Sequence, residues 1–393
     1  MSGPIADNAP RVSLSELGAL FLKLGTIGFG GPAAHIAMME DEVVRRRGWL
    51  TREQFLDYLG ATNLIPGPNS TEMAIHIGHA RAGWPGLLVA GCAFILPATL
   101  IVAALAWAYV RFGALPQVAG VLYGVKPVVI AVVIQALWGL GRSAVTSYRL
   151  AALGLASATA ILLGVHELAV LAAAAAAGAM LARPPDAGGG TWKAAALATT
   201  AGVFPVSTAA LAAGSTAGPA AVSLTSLFGA FVKIGAVLFG SGYVLLAFLR
   251  ADFVERFGWL TEQQLLDAVA VGQVTPGPLF TTATFVGYLV AGWPGAVLAT
   301  IGIFLPAFVF VALSGPLVPR IRRSPSAGVA LDGVIVASLA LMAIVTWQLG
   351  LAAVTDATTA ILAIASALLL MRFRVNSAWL VAGGAVIGLL IPL

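Results

Sequence analysis

The chain has 393 residues, 60 % of them hydrophobic and only 9 % charged, whereas an average soluble domain is roughly half apolar and about a quarter charged. A soluble globular protein is therefore excluded, and much of the surface must face lipid. The formal net charge of +5 does not point to nucleic acid, because the basic residues sit in loops between apolar runs, where membrane topology accounts for them. Cys92 is the sole cysteine, which excludes an intrachain disulfide and a cysteine-based metal centre.

In chain order, residues 1–12 are polar, carry Pro4 and Pro10, and lack the basic start and short apolar core of a cleaved signal peptide. Leu14 to Met38 is apolar apart from Glu16, Lys23 and His35 and is interrupted by Gly28-Phe29-Gly30-Gly31-Pro32, which predicts one span with a break. Glu40 to Arg52, with Arg45-Arg46-Arg47, is too polar for lipid. Thr51 is placed to cap a helix that Pro66-Gly67-Pro68 stops, and a second short helix follows from Asn69 to Ala82. Neither piece is long enough to cross alone. Together they predict a broken hairpin that enters and leaves on one side, as is tolerated where protein or a water-filled cavity surrounds it.

Trp84 to Val110, Val118 to Leu140, Leu150 to Val165 and Leu168 to Leu181 read as further spans. A Pro/Gly linker follows, then Thr191 to Ser223, read as an interfacial segment or an extra span. The second half repeats the plan with Leu224 to Leu249, a broken pair from Thr261 to Val290, then Trp293 to Leu313, Gly328 to Leu349, Ala357 to Met371 and Ala378 to Leu393.

The two halves are copies. Gly48 to Pro68 recurs as Gly258 to Pro278, with 10 of 21 positions identical, and after the Pro-Gly-Pro the offset falls from 210 to 209, so that Gly83-Trp84-Pro85-Gly86 matches Gly292 to Gly295. The expected organisation is a first repeat at 14–183, a linker at 184–223 and a second repeat at 224–393. With about five spans and one broken hairpin per half, an odd count predicts an all-α polytopic membrane protein built as an inverted repeat. The excess of Lys and Arg on the linker side puts that side in the cytoplasm and both termini outside.

Lys23 and Lys233 occupy equivalent positions, nine or ten residues into an apolar helix. At about 1.5 Å per residue this is near mid-membrane, where a lysine costs about 2.5–3.5 kcal/mol; function, or a snorkelling or ion-paired lysine, would explain its presence twice. A helix that starts just after a break offers unpaired N–H groups to an anion. Asn69, Ser70 and Thr71 in one half and Thr281 and Thr282 in the other sit at such starts, and Asn63 and Gln273 approach them from the opposite side. The glycines of the first break, Gly30 and Gly31, and Gly240 in the second suit backbone concavities that meet anions, although close helix packing uses glycine too. Glu72 and His76 have no equivalents in the second half, share a helix face and suit proton coupling; a plain polar face is the other reading. Asp57 and Asp267 are duplicated and suit capping or ion pairs. No Walker loop, dinucleotide fingerprint, zinc spacing or nucleophile elbow occurs, so no cofactor, no metal and no enzymatic activity are expected.

Phe29-Gly30-Gly31-Pro32-Ala33-Ala34-His35-Ile36, Val44-Arg45-Arg46-Arg47-Gly48-Trp49-Leu50, Pro66-Gly67-Pro68 and Phe94-Ile95-Leu96-Pro97 resemble the chromate ion transporter family. Gly272 to Thr281 and Phe304-Leu305-Pro306 resemble that family's other domain, so the likeness covers almost the whole chain, as in the long two-domain members. It implies a proton-driven secondary transporter that exports chromate across the inner (plasma) membrane, with sulfate as a related oxyanion. Sulfate as the natural substrate and a passive anion channel stay open as alternatives, as does a homodimer. The partners expected are the oxyanion, protons and the lipid bilayer.

Overall fold

The computed structural model describes residues 12–29, 31–113, 115–181, 222–239, 242–322, 325–373 and 375–391. These residues form helices and no strand. The first half comprises α1 (Leu14–Ile27), α2 (Gly31–Glu40), α3 (Arg52–Thr62), α4 (Asn69–Phe112), α5 (Pro116–Ala144), α6 (Tyr148–Leu162) and α7 (Glu167–Leu181). The second comprises α8 (Leu224–Val237), α9 (Leu245–Leu249), α10 (Glu262–Val274), α11 (Thr282–Arg322), α12 (Pro325–Ala353), α13 (Ala357–Phe373) and α14 (Ser377–Leu390). The extra span considered at 191–223 and the linker from 184 lie almost wholly outside the described residues.

The first apolar stretch corrects the sequence reading. Arg47, just past α2, puts Nη1 2.8 Å from Glu16 Oε1 at the start of α1, and Lys23 Nζ lies 2.7 Å from Glu42 Oε1. Early residues of α1 thus meet late residues of the following segment, the ladder of an antiparallel hairpin. The stretch expected to be one span with a break enters and returns at the same end, because the chain reverses at the break instead of kinking through it. The second half repeats the ladder: Lys233 on α8 meets Asp252 at 2.6 Å, in the π-helical turn Arg250–Arg256.

The second hairpin follows the sequence expectation. Thr51 and Gln54 form a reciprocal capping box at the start of α3, and Thr261 and Gln264 repeat it before α10, satisfying amides that a helix start leaves without partners. After Pro66-Gly67-Pro68, α4 is itself bent double. Ala82 and Gly83 leave helical geometry, Gly83 with φ 62° and ψ −150°, a conformation open at low cost to glycine alone. The two arms of α4 then run so close that a Cβ on Gly78 would strike the Gly86 carbonyl, and Gly287 and Gly295 make the same crossing on α11 around Gly292.

α1 buries Leu17, Leu20, Phe21 and Leu24, the spacing of one helix face, against the second arm of α4, with Phe21 edge-on to Phe94 at 6.5 Å. In lipid this seam is held by van der Waals contact instead of water exclusion. Gly18 faces Val89 and Gly25 faces Phe94, so that arm runs parallel to α1, away from the end that carries Arg47. Short connections then alternate: α5 returns, α6 leaves, α7 returns.

Direction in the second half follows from crossings between halves. Gly120 and Gly124 on α5 meet Gly388 and Gly384 on α14, and Gly178 and Ala174 on α7 meet Val329 and Gly333 on α12. Both pairs are antiparallel, so α12, the counterpart of α5, points the other way, and α14 opposes α7. The protein is an inverted repeat of two helical halves. Among the described residues two helices in each half, Asn69–Phe112 and Pro116–Ala144 in the first and Leu279–Ser314 and Gly328–Ala353 in the second, are long and apolar enough to cross a membrane, and each half sends in two broken hairpins, the first half from one end of the bundle and the second from the other.

Arg45, Arg46, Arg47, Arg52, Arg81, Arg142, Arg149 and Arg372 collect at the end where α1 starts, against Arg111, Lys126, Arg250 and Arg256 at the far end. The basic end is the cytoplasmic one by the positive-inside rule. The first helix starts there and α14 finishes at the far end; residues 1–11 and 392–393, on which the expectation of both termini outside falls, lie outside the described residues.

Gly124 on α5 would press a Cβ into the Gly384 carbonyl, whereas Gly229 on α8 has nothing within 4 Å. Gly124→Ala should destabilise the detergent-purified protein by about 1–3 kcal/mol through overpacking, and Gly229→Ala should be neutral or stabilising. Thermal unfolding followed by size-exclusion profiles distinguishes them.

Candidate functional site

The broken elements of the two halves meet tip to tip in the middle of the bundle. The Gly67 N–H, in the first Pro-Gly-Pro, donates to the Leu238 carbonyl at 2.8 Å, and the Gly277 N–H, in the second, donates to the Gly28 carbonyl at 2.8 Å. Leu238 and Gly28 are equivalent positions, so the exchange is reciprocal. Symmetry is broken at His35, whose Nε2 lies 2.9 Å from the Gly28 oxygen and whose counterpart is Leu245.

Two cavities adjoin these tips. A recess of about 20 Å³ is bounded by Gly28, Gly31 and Pro32 on one side and by Gln273, Gly277 and Leu279 on the other, room for one water. Beyond Pro32 and Tyr243, which line both cavities, an open vestibule of about 910 Å³ widens past Asn63, Asn69 and Gln135 to Arg142, Ser143 and Asp332. Its wall uses the ends of α5, α12 and α13 that lie at the basic end, so it joins the central tips to the cytoplasmic face.

The vestibule floor carries hydrogen-bonding groups. Asn69 Nδ2 donates to Asn63 Oδ1 at 2.8 Å, bridging the break from both sides, and the Tyr243 hydroxyl bonds the Gln273 side chain. The amides of Asn69 and Ser70, at the start of α4, have no carbonyl partner among the described residues. Higher up, Arg142 has no ion pair among the described residues, and its counterpart at the far end is Leu351.

Of the residues singled out from sequence, Gly31, Asn63, Asn69 and Gln273 border these cavities. Ser70 and Thr71 are buried behind the break, and the hydroxyls of Thr281 and Thr282 donate to the carbonyls of Pro278 and Leu279 in their own turn. Gly30 and Gly240 lie outside the described residues. Glu72 is fully buried against Gly67 in the first turn of α4, and neither carboxyl oxygen has a hydrogen-bond partner among the described residues. His76, one turn on, stacks on Tyr58 at 5.4 Å.

Lys23 and Lys233 border neither cavity. The side chain of a helical residue leans toward the helix N-terminus, which turns each ammonium back to the mouth of its hairpin and to a carboxylate. Lys233 also faces Glu167 at 3.8 Å. Both lysines hold hairpins shut. Tyr243, Gln135 and Arg142 were missed as site residues; the signal for Arg142 was its loss of symmetry, an arginine where the copied half carries leucine.

A duplicated all-α membrane protein, inverted about broken helices and opening a polar vestibule to one face, has the architecture of the inverted-repeat membrane carriers. The comparisons carry this further. The chromate transporter family model matches twice, over residues 15–179 and 225–389. The chromate transport protein of Cupriavidus metallidurans is 35 % identical over 385 residues, 97 % of this chain and 94 % of the relative. That of Pseudomonas aeruginosa is 32 % identical, covering 86 % and 82 %, and an uncharacterized transporter of Methanocaldococcus jannaschii is 27 % identical, covering 94 % and 92 %. No solved structure matches. The chain belongs to the chromate transporter family and is a transport protein, not an enzyme.

The two ion pairs differ in setting. The Asp252 side chain is 2 % exposed, while Lys23 is 50 % exposed beside Glu42. Asp252→Ala, which leaves Lys233 only the more distant Glu167, should lower stability by about 3 kcal/mol, whereas Lys23→Ala should cost under about 1 kcal/mol. Unfolding midpoints of the two variants in detergent check the order.

Proposed function

We propose that the chain exports chromate from the cytoplasm as a secondary transporter, taking the anion into the vestibule and driving its release with the proton gradient. The observation that carries this reading is the vestibule itself: it opens at the basic end, stops at the converging tips, and its floor offers donors in place of apolar side chains. Asn63, Asn69 and Tyr243 suit the oxygens of a tetrahedral dianion, and the free amides at the start of α4 add the positive end of a helix. Arg142, with no ion pair among the described residues, lines the path to that floor.

The inner recess is too small for an oxyanion in this conformation, so the anion binds on the vestibule side of Tyr243 and Pro32. Glu72 supports the proton coupling. It sits in the same helix turn that would face the anion, so that a negative charge on Glu72 and a dianion at the helix start oppose each other. Protonation of Glu72 and occupancy of the helix start are thereby linked. The inverted repeat around broken helices, with a vestibule that ends at the tips, supports a carrier over a passive pore. Sulfate has the same shape and charge, and competition measures the preference. The proposed location is the inner membrane.

The test is uptake of radiolabelled chromate into everted membrane vesicles with and without an imposed proton gradient. Gradient-dependent accumulation is expected; chromate flux indifferent to the gradient would overturn the coupling, and no flux of any kind would overturn the substrate. In the same assay Arg142→Ala should weaken half-saturation roughly tenfold or more, the loss of one charge-assisted hydrogen bond of about 1.5–3 kcal/mol. Glu72→Gln should depress gradient-driven flux more than chromate exchange.

A further inference from the structure

The inverted repeat predicts that whatever one end does, the other end can do with the counterpart residues, and the two ends of this structure differ. At the far end α10 packs against α5. Lys126 on α5 reaches both Gln263, at 2.7 Å, and Asp267, at 2.9 Å, on α10. Asp267, 3 % exposed, also accepts from the Tyr109 hydroxyl of α4 at 2.8 Å, and Gln263 Nε2 donates to the Ala352 carbonyl of α12 at 3.1 Å. Tyr123 on α5 adds a hydrogen bond to Asp356 at 2.8 Å. All of these contacts except that of Gln263 with Ala352 join the first half to the second.

At the basic end the counterparts are Glu53 and Asp57 for Gln263 and Asp267, Ile335 for Lys126 and Asp332 for Tyr123. Ile335 and Asp332 line the open vestibule, and α3 makes no packing contact with α12 comparable to that of α10 with α5. Where the far end has a cation between two acceptors, the basic end has an isoleucine opposite two carboxylates. The far end can lock and the basic end cannot.

We propose that Lys126, Asp267, Gln263 and Tyr109 form a far-side latch. It holds the carrier closed to the outside and open to the cytoplasm at rest, and it must part for the anion to leave. The outward-open state exchanges the roles of the halves, so that α10 leaves α5 and α3 closes on α12. That closure gains no ion pair to replace the one broken, because Ile335 has none to give. The resting state is therefore the one that loads from the cytoplasm. The inference rests on reading the chain as a carrier that opens to each face in turn.

The experiment reads accessibility without any anion, so its failure leaves the substrate assignment standing, and failed chromate transport leaves it readable. In a Cys92→Ala chain, Val345→Cys places a thiol on α12 at the counterpart of Ala136, a vestibule-lining position; Val345 is 5 % exposed. An impermeant maleimide applied to right-side-out vesicles should scarcely react with it. Lys126→Ala or Asp267→Asn should raise the rate roughly tenfold by populating the far-open state, and the swapped pair Lys126→Asp with Asp267→Lys should return it toward the starting rate. An unchanged rate in the single variants overturns the latch. Should those variants not fold, Ile335→Lys, which puts a lysine at the counterpart of Lys126, is decisive by itself. It should slow labelling of Ser143→Cys from the basic end in everted vesicles, and unaltered labelling overturns the proposal.

Discussion

A helix that breaks inside lipid leaves backbone groups that no water can satisfy, and each such group costs several kcal/mol if orphaned. This protein has four such breaks, and it answers the constraint by exchange between halves. Gly67 donates to Leu238 and Gly277 donates to Gly28, so each Pro-Gly-Pro is completed by the first break of the other repeat. The rest of the architecture serves that meeting: hairpins of limited reach, entering from opposite ends, with long antiparallel helices around them to keep water and lipid out.

The same exchange locates the candidate site. Polar backbone in a membrane is tolerated where it borders protein or a watery cavity, and here both occur. On one side of the tips the halves close on each other; on the other a polar vestibule descends to Asn63, Asn69 and Tyr243. Duplication supplied the scaffold, and the departures from duplication supply the candidate chemistry. His35 faces Leu245 across the symmetry, Arg142 faces Leu351, Lys126 faces Ile335 and Glu72 faces Thr282. A symmetric carrier has no preferred direction, and these pairs are where direction can be encoded.

Much of the fold was legible because its signals are local or copied. The Thr51 and Thr261 caps, the Pro-Gly-Pro breaks and the repeat at an offset of 210 each needed a short window of sequence; the inversion itself is carried by the antiparallel crossings of α5 with α14 and α7 with α12. The turn-back of α1 on α2 was not legible, since Gly28-Phe29-Gly30-Gly31 reads alike for a kinked crossing and for a reversal. Only the pairing of Lys23 with Glu42, 19 residues apart, tells them apart, and a pairing is a property of the folded chain. For the same reason the sequence left both lysines open between an anion site and an ion pair, and the fold gives each a carboxylate. Of the cavity-lining residues, Asn63, Asn69 and Gln273 stood out in the sequence because they flank the breaks; Tyr243, Gln135 and Arg142 reach the vestibule from segments whose neighbours in space are far away in sequence.

The central claim is that the oxyanion binds where the broken tips of the two halves converge. Anomalous diffraction at the chromium edge, from crystals grown in chromate, measures this directly. The account predicts one peak on the vestibule floor, among Pro32, Asn63, Asn69 and Tyr243. A peak beside Lys23 or Lys233 at the hairpin mouths, with none on that floor, would contradict it.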